Sequence, residues 1–131
     1  MLRKTIEYTD YNGVDRKETF YFNLTKSELT KMEIGTVGGY AEMIQRIVDA
    51  KEGHEIVKAF EDLIFKSYCV KSDDGKRLIK NAKLSEEFSQ TPAYDVLFME
   101  LATDADAAAA FVNGIMPEDI DRTALIAANT N

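Results

Sequence analysis

One cysteine, one histidine and no apolar run long enough to cross a bilayer mark what this 131-residue chain has least of, and each scarcity removes a class of function. Cys69, being alone, cannot close an internal disulfide, which fits a reducing compartment. A zinc site draws about four ligands from Cys, His and carboxylate side chains, and His54 and Cys69 alone do not make that set. A general base also needs an orienting partner and a nucleophile to serve. His54 follows Gly53 at the start of an expected helix and reads as a surface or capping residue. Cys69 lies between Tyr68 and Val70 at the end of the most apolar expected helix, where a free thiol behaves as a small buried hydrophobe. No stretch reaches the roughly 18 apolar residues of a membrane span. Met1-Leu2-Arg3-Lys4-Thr5-Ile6-Glu7 runs directly into an alternating pattern, without the apolar core of a secretory signal. Positive charge is scarce as well: 16 Lys and Arg stand against 23 Asp and Glu, a net charge of -7. That sign opposes binding to nucleic acid or to anionic lipid.

What is present describes one folded domain. Hydrophobic residues make up 45% and charged residues 30%, so the chain has the composition of a globular protein. Lys4–Tyr8 and Glu18–Phe22 alternate β-branched or aromatic with charged residues, and Tyr11-Asn12-Gly13 between them carries turn chemistry. A β-hairpin is expected, with Ile6, Tyr8, Phe20 and Phe22 on its apolar face. Thr25-Lys26-Ser27-Glu28 is a capping box that opens a short helix ending at Gly35. A second helix, capped by Thr36, carries Tyr40, Met43, Ile44, Ile47 and Val48 as one stripe. A third carries Ile56, Phe60, Leu63 and Ile64, widened by Val57, Phe65 and Tyr68. Ser72-Asp73-Asp74-Gly75 breaks the pattern as a turn, and Lys76–Lys80 reads as an extended link or one irregular turn. Further helices start at Ser85, at Thr91-Pro92 with proline in the first turn, and at Thr103-Asp104, with Gly114 and Pro117 closing the last.

The expected architecture is α+β, mainly α: an N-terminal β-hairpin followed by a bundle of five to six short helices. Residues 1–117 form a single globular domain, and residues 118–131 a flexible C-terminal tail.

Chemistry-bearing motifs resolve into structural ones. Ser72-Asp73-Asp74-Gly75 and Thr103-Asp104-Ala105-Asp106 lack the continuation to a glutamate that an EF-hand requires, so a turn and a helix cap account for them. Gly38-Gly39 and Asp74-Gly75-Lys76 lack the spacing of a phosphate-binding loop. The remaining paired carboxylates form a solvated face. No catalytic, cofactor-binding or metal-binding residue is assigned, and the chain is not expected to be an enzyme.

Several stretches together carry a resemblance. They are Lys4-Thr5-Ile6-Glu7-Tyr8-Thr9-Asp10-Tyr11-Asn12-Gly13, Phe20-Tyr21-Phe22-Asn23-Leu24-Thr25, Ser67–Arg77, and Glu86–Tyr94 running into Leu97–Asp104. Over residues 3 to 117 the chain resembles the tail assembly chaperones of long-tailed bacteriophages that infect Gram-positive bacteria. Position 69 departs from the pattern, with Cys where a small residue such as Gly is expected. The resemblance implies a protein that keeps the tape measure protein soluble, promotes polymerisation of the tail tube protein around it, and is absent from the finished virion. It implies the cytoplasm of the bacterial host, self-association, and production in short and frameshifted long forms, this chain being the short one. A structural tail or head–tail connector completion protein of the virion is the alternative. The expected client contact is a helix-in-groove surface at Ala107, Phe111, Ile115 and Met116, where small residues allow close backbone approach and large ones supply apolar area. The competing reading packs those residues on the protein's own core.

Overall fold

The structure is a computed structural model that describes residues 1–35 and 53–117. The expected second helix, with Tyr40, Met43, Ile44, Ile47 and Val48, lies outside the described residues, as does the segment 118–131.

The opening hairpin forms as its alternation requires. Strands β1 (Leu2–Thr9) and β2 (Asp15–Phe22) pair antiparallel from Leu2↔Phe22 to Thr9↔Asp15. The turn between them is built on Asp10. Its amide donates to the Val14 carbonyl at 2.8 Å, and its carbonyl accepts from Gly13 at 2.9 Å. Its Oδ1 accepts the Asn12 and Val14 amides, each at 2.9 Å, and its other oxygen takes the Arg16 guanidinium. Gly13 sits at φ 80°, the left-handed conformation that ends such a three-residue loop and that glycine adopts without strain.

Five helices follow among the described residues. Helix α1 (Lys26–Gly35) opens on the expected capping box: Thr25 N–H donates to Glu28 Oε1 at 3.0 Å, and Glu28 N–H to Thr25 Oγ1 at 3.1 Å. Helix α2 (Gly53–Ser67) buries Phe60, Leu63 and Ile64 and leaves Val57 exposed. Helix α3 (Ala82–Ser89) begins three residues before the expected Ser85, because Asn81 Oδ1 accepts the Leu84 amide and so caps the turn, while Ser85 Oγ donates to the Phe65 carbonyl instead. Helix α4 (Pro92–Thr103) is capped by Thr91 with proline in its first turn, and α5 (Ala105–Ile115) by Asp104, both as expected.

One correction concerns residues 68–79. Helix α2 stops at Ser67, whose buried hydroxyl donates back to the Leu63 carbonyl at 2.6 Å, and the chain then forms a second hairpin. Strand β3 (Tyr68–Lys71) pairs β2 through Tyr21↔Cys69 and Phe22↔Tyr68, and β4 (Leu78–Ile79) pairs β3. Tyr68 and Cys69 are therefore strand residues. Sheet order is β1-β2-β3-β4. A second correction is Gly114: α5 runs through it, and its missing side chain makes room for Leu2, since a Cβ there would lie 2.8 Å from Leu2 Cδ1.

The core lies between one face of this sheet and the helices. Ile6 is buried there, and Leu2, Tyr8 and Phe20 pack against it. Phe22 is fully buried, with the rings of Tyr68, Phe88 and Phe111 at 5.8, 5.9 and 5.3 Å. Burial of each such large apolar side chain contributes roughly 1.5–3 kcal/mol relative to exposure.

Candidate functional site

The sequence-expected contact residues do share one face of the last helix and its end, and that face looks inward. Phe111 is 3% exposed, Ile115 0% and Met116 2%. The Phe111 ring rests on Phe22, and the Ile115 carbonyl accepts the Leu24 amide at 2.8 Å. Ala107 is half-buried against the core, whereas Ala109 and Ala110 are exposed. The four residues are thus brought together by the core.

The titratable groups singled out by sequence also hold structural places. The Cys69 thiol is buried, sits 3.5 Å from the Tyr21 carbonyl, and is pushed up in pKa by that burial, so it stays a thiol. Asp74 accepts from Ser72 Oγ at 2.7 Å and from the Lys76 amide at 3.0 Å, which hold its carboxyl below the usual range and close the turn at Gly75. Asp104 Oδ1 accepts the Asp106 and Ala107 amides as a helix cap. His54 lies in the first turn of α2. Among the described residues, no group of three or more His, Cys, Asp or Glu side chains is placed to hold a metal ion. Among the same residues, no helix is long and apolar enough to cross a membrane.

A groove of about 820 Å³ runs between α2, α3 and the start of α4, lined by Glu28, Phe65, Lys80, Ser85, Glu86 and Tyr94 among others. Its floor is an ion pair. Lys80 Nζ donates to both Glu28 oxygens, at 2.8 and 2.7 Å, and to the Asn23 carbonyl. Burial pushes the Glu28 carboxyl up, but Lys80 and the Thr25 amide outweigh it and hold the group below its ordinary value. This lysine is committed to the protein's own backbone and acid.

Two exposed apolar patches escaped the sequence reading. Tyr11 and Val14 are 83% and 51% exposed at the hairpin tip, and Val96 and Met99 are 42% and 51% exposed on α4. The outer side of β1 is a further surface, of the kind that a hairpin leaves open: because β3 joins β2, β1 is an eight-residue edge among the described residues. Alternation in the sequence showed which β1 side chains face out. It carried no signal for the position of the strand in the sheet, which depends on the distant residues Tyr68 and Cys69.

Fold and surface together define a small α+β protein, mainly α, in which the groups singled out by sequence hold turns, caps and strand contacts. The chain belongs to the phage tail assembly chaperone family, whose model matches residues 1–130. No curated protein and no solved structure matches it.

Proposed function

We propose that the protein binds and solubilises the phage tape measure protein and promotes tail tube polymerisation around it, without enzymatic activity and in the cytoplasm of the bacterial host. The match to the tail assembly chaperone family over residues 1–130 carries this reading. The net charge of -7 and the exposed Val96 and Met99 are compatible with a protein client held through apolar contact. Self-association belongs to the same reading, since a long client needs many copies to cover it. Phe111, Ile115 and Met116 take part in client binding only if the end of α5 lifts from Phe22 and Leu24, where they now pack.

Two measurements test the proposal. Co-expression with the tape measure protein is expected to move that protein from the pellet to the soluble fraction, and an unchanged pellet refutes the client. Mass spectrometry of purified particles is expected to find the chaperone missing. Its presence at fixed copy number instead assigns a structural tail or head–tail connector completion role.

A further inference from the structure

The hairpin determines which backbone groups of β1 are spare. The Asp10 amide donates to the Val14 carbonyl beside the turn, and along an antiparallel ladder residues that bond inward alternate with residues that bond outward. Counting back from Asp10, Tyr8, Ile6 and Lys4 turn their backbones toward β2. Arg3, Thr5 and Glu7 therefore present N–H and C=O to the open side, where no strand pairs among the described residues. Their side chains are also exposed, on the face away from the helices. Edge strands are commonly guarded by an inward-pointing charge. Lys4 occupies that position, but its ammonium is held by Glu100 of α4 at 2.7 Å, so the guard is neutralised.

We propose that β1 pairs with β1 of a second copy of this chain, antiparallel about Thr5, joining two four-stranded sheets into one. The inference rests on the self-association read above and names its interface. Outward residues must meet outward residues, and centring the pair on Thr5 sets Arg3 opposite Glu7 of the second copy, twice by symmetry. Roughly six backbone hydrogen bonds form, two from each of the three facing pairs. Sliding by one step of the ladder sets Thr5 against Arg3 or Glu7 and loses both ion pairs; sliding by two sets Arg3 against Arg3 or Glu7 against Glu7. On the helix side the same register brings Leu2 opposite Tyr8, both of which already pack against the core. Val96, one turn along α4 from Glu100, adds an exposed apolar side chain to that flank. The two-fold operator uses one edge on each copy and closes on itself.

Analytical ultracentrifugation of the full chain over a concentration series tests this, with wild type, Arg3→Glu, Glu7→Arg, the double exchange and Thr5→Pro compared, and circular dichroism checking that each is folded. Each single charge reversal sets like charges opposite one another twice and is expected to weaken dimerisation roughly tenfold. The double exchange restores the pairs and is expected to recover the wild-type dissociation constant to within about threefold. Thr5→Pro removes an outward N–H while leaving the β2 ladder intact, and weakens the dimer by a similar factor. A wild type that stays monomeric at about 0.5 mM overturns both the dimer and the self-association reading. Association that ignores every substitution overturns the edge contact alone. Loss in the single variants without recovery in the double exchange overturns the register.

Discussion

The two ends of the first hairpin share a ladder but are held by different physics. At the base, Phe22 is fully buried among the rings of Tyr68, Phe88 and Phe111, and β3 pairs alongside it. At the tip, every residue from Tyr11 to Thr19 is exposed. There the strands are tied by polar contacts: Thr9 Oγ1 to Asp15 Oδ1 at 2.8 Å, Thr5 Oγ1 to Thr19 Oγ1 at 2.9 Å, and the Asp10 clamp. Water competes for each of the polar contacts and for none of the apolar ones. The base therefore sets global stability, and the tip sets only its own local order.

Breaking the base has the largest expected effect. Phe22→Ala removes the ring at the centre of that aromatic contact and leaves a cavity under the sheet, at a cost of about 3–5 kcal/mol. The urea midpoint measures it, and a loss below about 1 kcal/mol means that the region collapses around the truncated side chain. A smaller loss, about 1–2 kcal/mol, is expected of Lys80→Met, which leaves the Asn23 carbonyl and the Glu28 carboxylate without their ammonium. That figure is already reduced for solvent, because the two side chains are 21% and 30% exposed. Glu28 gives the pH dependence. Its folded pKa lies below the ordinary value of 4.5, so its contribution is present above 4.5 and is lost as pH falls through the lower, folded value. Acid unfolding of Lys80→Met is expected to lose that limb, and an unchanged acid midpoint argues against the pair.

The same contrast explains what the sequence disclosed. Three caps were legible because their partners lie within three residues: Thr25 with Glu28, Thr91 with Tyr94, Asp104 with Ala107; Asn81 with Leu84, at the same spacing, was not. The first hairpin was legible because its turn and both strands are contiguous. The second was not. The apolar pattern of α2 runs into Tyr68 without a break; Tyr68 and Cys69 become strand residues by pairing with Phe22 and Tyr21, far back in the chain, and Val70 and Lys71 by pairing with Ile79 and Leu78. The stripe on α5 was legible as a stripe. Which side it faces was not, because Phe111 and Ile115 carry the same signature whether they meet a client or Phe22 and Leu24.

At the tip the expected losses are local. Asp10→Ala removes the acceptor for the Asn12 and Val14 amides and the partner of Arg16. Hydrogen exchange at those two amides is expected to speed at least about tenfold, with exchange at Phe22 and Leu63 unchanged. Faster exchange at the base amides as well, or a shifted urea midpoint, breaks the proposed division between the two ends. Acid acts in the same place. The Arg16 hydrogen bond and then the Val14 amide hold the Asp10 carboxyl below the usual aspartate range, so the clamp is intact above that range and loosens as pH falls through the folded value.

The smallest effect sharpens the comparison most finely. The Tyr8 hydroxyl donates to Glu18 Oε1 across the exposed half of the ladder. That bond chiefly, with a lesser part from burial and from the Glu18 charge, raises the Tyr8 pKa above its ordinary value, and Arg16 opposes the shift in part. A raised pKa means that the bond's contribution is present below the ordinary tyrosine value and is lost as pH rises through the higher, folded one. Ring NMR shifts followed through the alkaline range are expected to place the Tyr8 midpoint above that of unfolded tyrosine. Glu18→Gln keeps an acceptor without the charge and recovers part of the displacement, and Glu18→Ala recovers more of it. Because the contact is exposed, neither substitution is expected to move the urea midpoint measurably. A Tyr8 midpoint that does not respond to Glu18→Ala shows that water has already replaced the bond, and the tip is then held by its turn and by the Thr9–Asp15 and Thr5–Thr19 contacts.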